Sequence, residues 1–443
     1  MRRARSSVAV PFTRAPRRYG ILSRMESITV TGGRPITGTV HVEGAKNSAL
    51  KLMAASLLAP GVSHITNVPD ISDVGLMTKV LEGLGAKVVR SDHKLSIDAT
   101  DITSFVAPYE LVAQMRASIS VLGPLVARYG QAHVAMPGGC NIGSRKIDMH
   151  IRGLTELGVV IKMGHGFLDA SVPPEGLHGA HVVLDFPSVG ATENLLMAAV
   201  VASDVTVIEN AAREPEIVDL IEFLNSMGAR ITGAGSSTLQ ILGVASLHPA
   251  THQVVGDRIE AGTFVVAGAL TGGPVTVRGF DPTHLELVLS KLRQAGCDIE
   301  LLTDGVTIER TGPVRPVDIQ TLPHPGFPTD MQAQFMALMS IAEGNSIISE
   351  NVFENRFMFA DELARMGADI RIEGHHALVK GIAGLSGAPV RSTDLRGGAA
   401  LVIAALIAED DTRIEDIYHI DRGYEAFVEK LRSLGADIVR SAS

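Results

Sequence analysis

EAGTFVVAGALTGG, residues 260–273, offers no polar face once past its opening Glu. A segment that is apolar all round is a helix enclosed on every side. A dozen residues on, LELVLSKLRQAGCDI (285–299) is its opposite: an amphipathic helix with a charged outer face, ending at Gly296 before a short strand. The same pair recurs six times. The other enclosed members are KNSALKLMAASLLAPG (46–61), RASISVLGPLVARYG (116–130), GATENLLMAAVVAS (190–203), TDMQAQFMALMSIAEG (329–344) and RGGAALVIAALIAED (396–410). The amphipathic members close on glycines at 85, 158, 228, 296, 367 and 435, in steps of 73, 70, 68, 71 and 68. A fixed period means a repeated structural unit. Between the helices lie strand-like runs such as ITVTG (28–32), THQVV (251–255) and DIVR (437–440). One such unit has too little core to stand alone. Three units around a pseudo-threefold axis would bury three helices behind strands. The expected fold class is therefore α/β: two inside-out α/β barrel domains, each of three repeated units with buried helices walled by β-sheets.

The last unit has less chain after its glycine than the others, while strand material at 27–44 has no helix of its own. The simplest closure joins the two. It gives one domain at 45–255 (units one to three) and another at 25–44 plus 256–443 (units four to six), with two crossings that suit a hinge over a cleft. Residues 1–24 hold seven Arg and no acid. That composition fits an organelle transit peptide. Nothing in it resembles a core element, so we read it as a disordered basic extension, with Met25 as an alternative start.

Net charge is −9 over 443 residues, which argues against a nucleic-acid partner. The apolar runs are too short to cross a bilayer, so no membrane partner is expected. Two cysteines, Cys140 and Cys297, fit a reducing cytoplasm rather than a disulfide framework, and the 15 His show no metal-ligand spacing.

Charged residues collect where helices begin. Lys46 and Asn47, Arg116, Asp330 and Arg396 open enclosed helices; Arg145, Arg356 and Arg422 precede amphipathic ones. Helix N-termini attract anions, and Arg adds a fork that fits carboxylate or phosphate. Taken singly, each also reads as a cap or a surface ion pair; recurrence at equivalent places in the repeat is what marks the set. The string MPGGCNIGSRKID (136–148) is a glycine-rich loop that presents Cys140 beside Arg145, a setting for a reactive thiol. Cys297, just after a repeat glycine, reads as core. Asp330 and Asp394 each read as a helix-start acid or as a base.

GAKNSAL (44–50), RASI (116–119), PGGCNIGSR (137–145), NAAREPEIVD (210–219), FPTDMQAQF (327–335), ENRFM (354–358), TDLR (393–396) and IYHIDRGYE (417–425) carry a resemblance. Through them the chain closely resembles the UDP-N-acetylglucosamine enolpyruvyl transferases of the EPSP synthase family over essentially 25–443. The resemblance implies the same double inside-out fold and a cytoplasmic enzyme of the first committed step of peptidoglycan synthesis. That enzyme moves the enolpyruvyl group of phosphoenolpyruvate to the 3′-hydroxyl of UDP-N-acetylglucosamine, without metal or cofactor. It makes Cys140 the acid toward the vinyl carbon and the target of fosfomycin, and Asp330 the base on the sugar hydroxyl. Lys46, Arg145 and Arg422 would clamp phosphate. Arg116, Arg356 and Arg396 would hold carboxylate, the closed state, or both, with Asp394 beside Arg396 in the substrate site. Asn47 would touch the sugar nucleotide. Arg145, Lys146, Ile147, Asp148 and Met149 would meet uridine, Ser188 and Val189 the diphosphate, and Val352 another part of the nucleotide. Phe186 stands where some members have Lys, and Lys146 where some have Pro.

Overall fold

The computed structural model describes residues 26–136, 142–143 and 147–442; the basic extension at 1–24, Cys140, Arg145 and Lys146 lie outside the described residues. The fold is mixed α/β. One unit shows the plan. Strand His181–Val183 leads into the enclosed helix Val189–Ala199, then strand Val205–Glu209, the outer helix Pro215–Ser226, and the hairpin Arg230–Thr232 with Thr238–Leu242. The short first strand pairs in parallel with the second (His181 opposite Val207), and the hairpin adds antiparallel to make a four-stranded sheet. Alternate residues face the helices, so Thr206 and Ile208 are buried while Val205 is exposed.

Among the described residues there are six such sheets. Two are completed by the chain's beginning. Gly38–His41 pairs in parallel with Val275–Arg278, and Glu26–Thr31 sits between Asp411–Glu415 and Asp437–Ala442, supplying the hairpin strand that the last unit lacks. Thr251–Gln253 crosses back to pair with Val62–Thr66. The repeat glycines all have φ between +95° and +108° just past the end of an outer helix. Left-handed backbone ends a helix cheaply only at glycine, which explains the periodic mark.

The enclosed helices are as buried as their composition demands. Leu395–Ala405 and Gln332–Met339 are buried throughout, and Arg258–Thr271 is buried up to its last residue. Their side chains build two separate apolar cores. One draws on 45–254; the other on 28–42 with 259–438. Two of the enclosed segments begin as 3-10 turns, Arg116–Val121 and Thr329–Met331. Pro328 holds the extended cap position before the second of these turns. Cys297 is buried in the second core, and burial pushes its thiol up to about 11.

The chain passes between the cores twice, and the passages are paired. Ala45 N donates to Val255 O (2.6 Å), Asp257 N donates to Glu43 O (2.9 Å), and Gly44 bridges Gly256. A Cβ on Gly44 would overlap the Asn67 carbonyl oxygen, and one on Gly256 that of Gly279, so the passages admit no side chain there. Among the described residues no helix is long and apolar enough to cross a membrane.

Candidate functional site

The N-termini of enclosed helices from both halves meet at the seam between the cores. Lys46 opens the first enclosed helix and is buried; its backbone N–H donates to Asp257 Oδ2 across the seam (3.1 Å). Asp257 is itself the cap of the fourth enclosed helix, accepting from Ile259 N and Glu260 N at 2.9 Å. The Lys46 ammonium lies 2.8 Å from Asp73 Oδ2, in the first turn of outer helix Ser72–Leu84. Arg422, from the 3-10 turn Ile417–Arg422, reaches the same carboxylate from the other half, Nε to Oδ1 at 2.9 Å and Nη2 to Oδ2 at 3.3 Å. Burial lowers the proton affinity of Lys46, and Arg422 and Arg396 lower it further while Asp73 opposes them. Burial alone would raise Asp73, but Lys46 and Arg422 hold it below the ordinary carboxylate range.

Asp330 is held within one half. Arg356 Nη2 donates to its Oδ1 (2.7 Å), and Arg396 donates to Oδ2 from Nε and Nη2 (3.2 and 3.1 Å). The Arg396 guanidinium also lies 5.3 Å from the Tyr424 ring centre, a cation–π contact, and its Nη1 has no hydrogen-bond partner among the described residues. Asp394 Oδ1 accepts from Arg396 N (2.9 Å) and Gly397 N (3.1 Å), so of its two readings the structure favours the cap. A further buried pair crosses the seam: Arg258 to Glu216, Nε–Oε1 3.0 Å and Nη2–Oε2 3.2 Å.

Most of the remaining predicted residues lie at helix starts. Asn47 is exposed beside Lys46. Ser188 caps the third enclosed helix through Ala191 N (3.3 Å), with Val189 its first residue. Arg116, half-buried at the start of its 3-10 turn, lies within electrostatic reach of His150, which burial, aided by Arg116 and Lys51, pushes down to about 3. Ile147 is buried and Asp148 exposed where outer helix Asp148–Glu156 begins, with Met149 half-buried. Val352 N donates to Glu350 Oε1 (2.9 Å). Phe186 is exposed just before Ser188. Ile142 O accepts from Asn355 N of the other half (3.0 Å), and a Cβ on Gly143 would meet the flexible end of the Glu354 side chain.

Sequence reasoning missed Asp73, Glu216, Arg258, Asp257 and Tyr424. Asp257 repeats the place of Asp394 as the cap of an enclosed helix, so the period held a signal for it, whereas Arg258 falls where Leu395 does. Asp73 carried none, since an acid in a helix's first turn is ordinary. The fold also gathers Asp219, Glu222 and His252, whose ligand atoms lie within 4.8 Å of one another. Asp219 is already engaged by His252 Nε2 (2.7 Å), Val255 N (3.2 Å) and Ser48 Oγ, which ties the second passage to the first enclosed helix.

A sequence profile described as EPSP synthase (3-phosphoshikimate 1-carboxyvinyltransferase) matches residues 30–431. The chain belongs to the EPSP synthase family. Within that family it is 54% identical over 415 residues to a UDP-N-acetylglucosamine 1-carboxyvinyltransferase of Mycobacterium tuberculosis, covering 94% of this chain and 99% of that one. It is 52% identical, at the same coverage, to the Corynebacterium jeikeium protein of that name. Among solved structures, the enolpyruvyl transferase NikO of Streptomyces tendae superposes with a TM-score of 0.84 at 27% identity, covering 95% of this chain and 99% of that one. An EPSP synthase from Acinetobacter baumannii superposes at 0.72 with 18% identity, over 94% of this chain and 100% of that one; at that distance only the fold is shared.

Proposed function

We propose that this chain transfers the enolpyruvyl group of phosphoenolpyruvate to the 3′-hydroxyl of UDP-N-acetylglucosamine and releases phosphate, the first committed step of peptidoglycan synthesis. The observation that carries the reading is the cation cluster at the seam. Lys46, Arg396 and Arg422 lie close enough to depress the Lys46 proton affinity together, and they come from both halves of the chain. Two anionic substrates need such a group of fixed cations. The sugar hydroxyl oxygen bonds to C2 of phosphoenolpyruvate, its proton passes to Asp330, and Cys140 delivers a proton to C3. Phosphate then leaves C2 as C3 gives up a proton, restoring the vinyl group on the sugar. Lys46, Arg145 and Arg422 hold the phosphate. Arg396, with its unmatched Nη1 donor, holds the carboxylate with Arg116 and Arg356. Asn47, Ser188, Val189, Val352 and residues 145–149 hold the nucleotide.

In this reading the two cores are two inside-out barrel domains, 45–255 and 25–44 plus 256–443, that close about the paired passages at Gly44 and Gly256. In this reading the enzyme works in the cytoplasm, which two cysteines without a disulfide framework support. The test is phosphate release from phosphoenolpyruvate, with and without UDP-N-acetylglucosamine, for the wild type and Cys140→Ser. Release is expected only with both substrates, with a large loss in the variant and a fosfomycin adduct on the Cys140 peptide by mass spectrometry. Equal rates in the two proteins would remove Cys140 from its role; no release with both substrates would remove the reading.

A further inference from the structure

One carboxylate stands between two cations that arrive from opposite ends of the chain. Asp73 uses Oδ2 for the Lys46 ammonium at 2.8 Å and both oxygens for the Arg422 guanidinium at 2.9 and 3.3 Å. Its side chain is only 3% exposed, so it does not itself meet a substrate. We infer that Asp73 is a positioning residue, which presents Lys46 and Arg422 as one cationic grip across the seam and keeps the Lys46 amine charged within it. The inference rests on the proposed role of that pair in holding phosphate.

The surroundings of Lys46 give the reason. Arg422 faces it from the 3-10 turn, Arg396 from the sixth enclosed helix, and Asp73 from the first outer helix; the Asp257 carboxylate accepts its backbone N–H. Two cations therefore act on the amine, and Asp73 is the acid paired with it. Arginine stays protonated in such company, whereas a buried lysine sheds its proton readily. The stem of Lys46 passes close to Gly423, where a Cβ would lie 3.1 Å from its Cδ. A neutral Lys46 would withdraw one of the three cations that hold the phosphate and leave the grip across the seam to Arg422.

The experiment compares wild type, Asp73→Asn and Asp73→Glu across pH 6 to 9. It reads kcat and KM for each substrate and, separately, the acylation of Lys46 by peptide mass spectrometry. In Asp73→Asn, the loss in kcat/KM for phosphoenolpyruvate should grow with pH, its alkaline limb moving down by about one pH unit, roughly tenfold at the alkaline end. KM for UDP-N-acetylglucosamine should change little. Lys46 acylation should begin at lower pH than in the wild type. Asp73→Glu should restore the alkaline limb. A loss of equal size at every pH, or an unchanged acylation profile, overturns the inference. If Asp73→Asn does not fold, Asp73→Glu carries the test: its alkaline limb stays in place even where KM rises, and a moved limb overturns the inference. If the wild type releases no phosphate, the functional reading fails while Lys46 acylation still decides the role of Asp73.

Discussion

Phe335 and Arg258 are both buried in enclosed helices, yet they answer to different rules. Phe335 lies inside the second core, its ring edge-on to Phe327 at 4.9 Å. Arg258 lies at the seam, matched by Glu216 of the other half. Within each core the buried side chains are mostly apolar, and packing stabilises them without regard to pH or ligand. Across the seam the contacts include the ion pairs of Arg422 with Asp73 and Arg258 with Glu216, and a hydrogen bond from the Asp70 backbone N to Glu425 Oε2 (2.6 Å). Buried ion pairs add little net stability, because desolvation offsets their attraction. They can, however, exchange one anion for another. The cores thus hold the fold, and the seam holds groups that a substrate can engage.

The largest expected effect separates these roles. Asp330→Asn leaves both cores untouched and removes the carboxylate that Arg356 and Arg396 share. Removal of a general base should slow phosphate release by about 10²- to 10⁴-fold, with cooperative unfolding retained in a urea titration. Activity within a few-fold of wild type would mean that the base lies elsewhere. The converse change is Phe335→Ala. It opens the second core and should destabilise the protein by about 3–5 kcal/mol, while KM for both substrates, measured on folded protein, stays near wild type. A large KM change with little loss of stability would show that core and seam are not separable.

Glu216→Gln tests the seam's own stability. It strands the buried Arg258 charge, so a loss of about 3 kcal/mol is expected. The sign of its pH dependence is fixed. Burial would raise Glu216, but Arg258 holds it below its ordinary 4.5. The contribution of its charged form is then complete above about 4.5 and fades as pH falls through the lowered value. The difference between variant and wild type in denaturant midpoint should shrink on going from pH 7 to pH 3. A difference that stays constant would mean that Arg258 and Glu216 are not paired in solution.

Much of the core was legible in the sequence because it is periodic. Enclosed helices lack a polar face, and the glycines that end the outer helices need a left-handed backbone, so both leave marks that composition cannot hide. The borrowed strand Glu26–Thr31 was detectable as a shortage in the last unit. The seam was less legible. Lys46, Arg396, Arg422 and Asp330 stood out as charges at helix starts, but their pairings join residues hundreds of positions apart. Asp73 was silent because its meaning comes only from Lys46 and Arg422 arriving beside it. Arg258 left no periodic mark, because it follows its cap Asp257 where the apolar Leu395 follows Asp394.

Glu260 is where the two regions touch, and it gives the smallest and most specific effect. It lies in the first turn of the fourth enclosed helix, buried, with Oε1 2.7 Å from Lys430 Nζ. Burial pushes its carboxyl up to about 7, with Lys430 opposing and Asp257 and Glu425 adding to the rise. A folded value above the unfolded one reverses the usual carboxylate pattern. Between about 4.5 and about 7 the folded protein keeps a proton that the unfolded chain releases, so this group lowers stability as pH rises through that window and has no further effect above it. Glu260→Gln removes the titration and keeps a side-chain oxygen that can accept from Lys430. Denaturant midpoints at pH 5, 6, 7 and 8 should therefore fall less steeply in the variant than in the wild type, the curves diverging up to about pH 7 and running parallel beyond it. Parallel curves throughout would mean that Glu260 titrates like an acid in water and belongs to the exchangeable seam rather than to the packed interior.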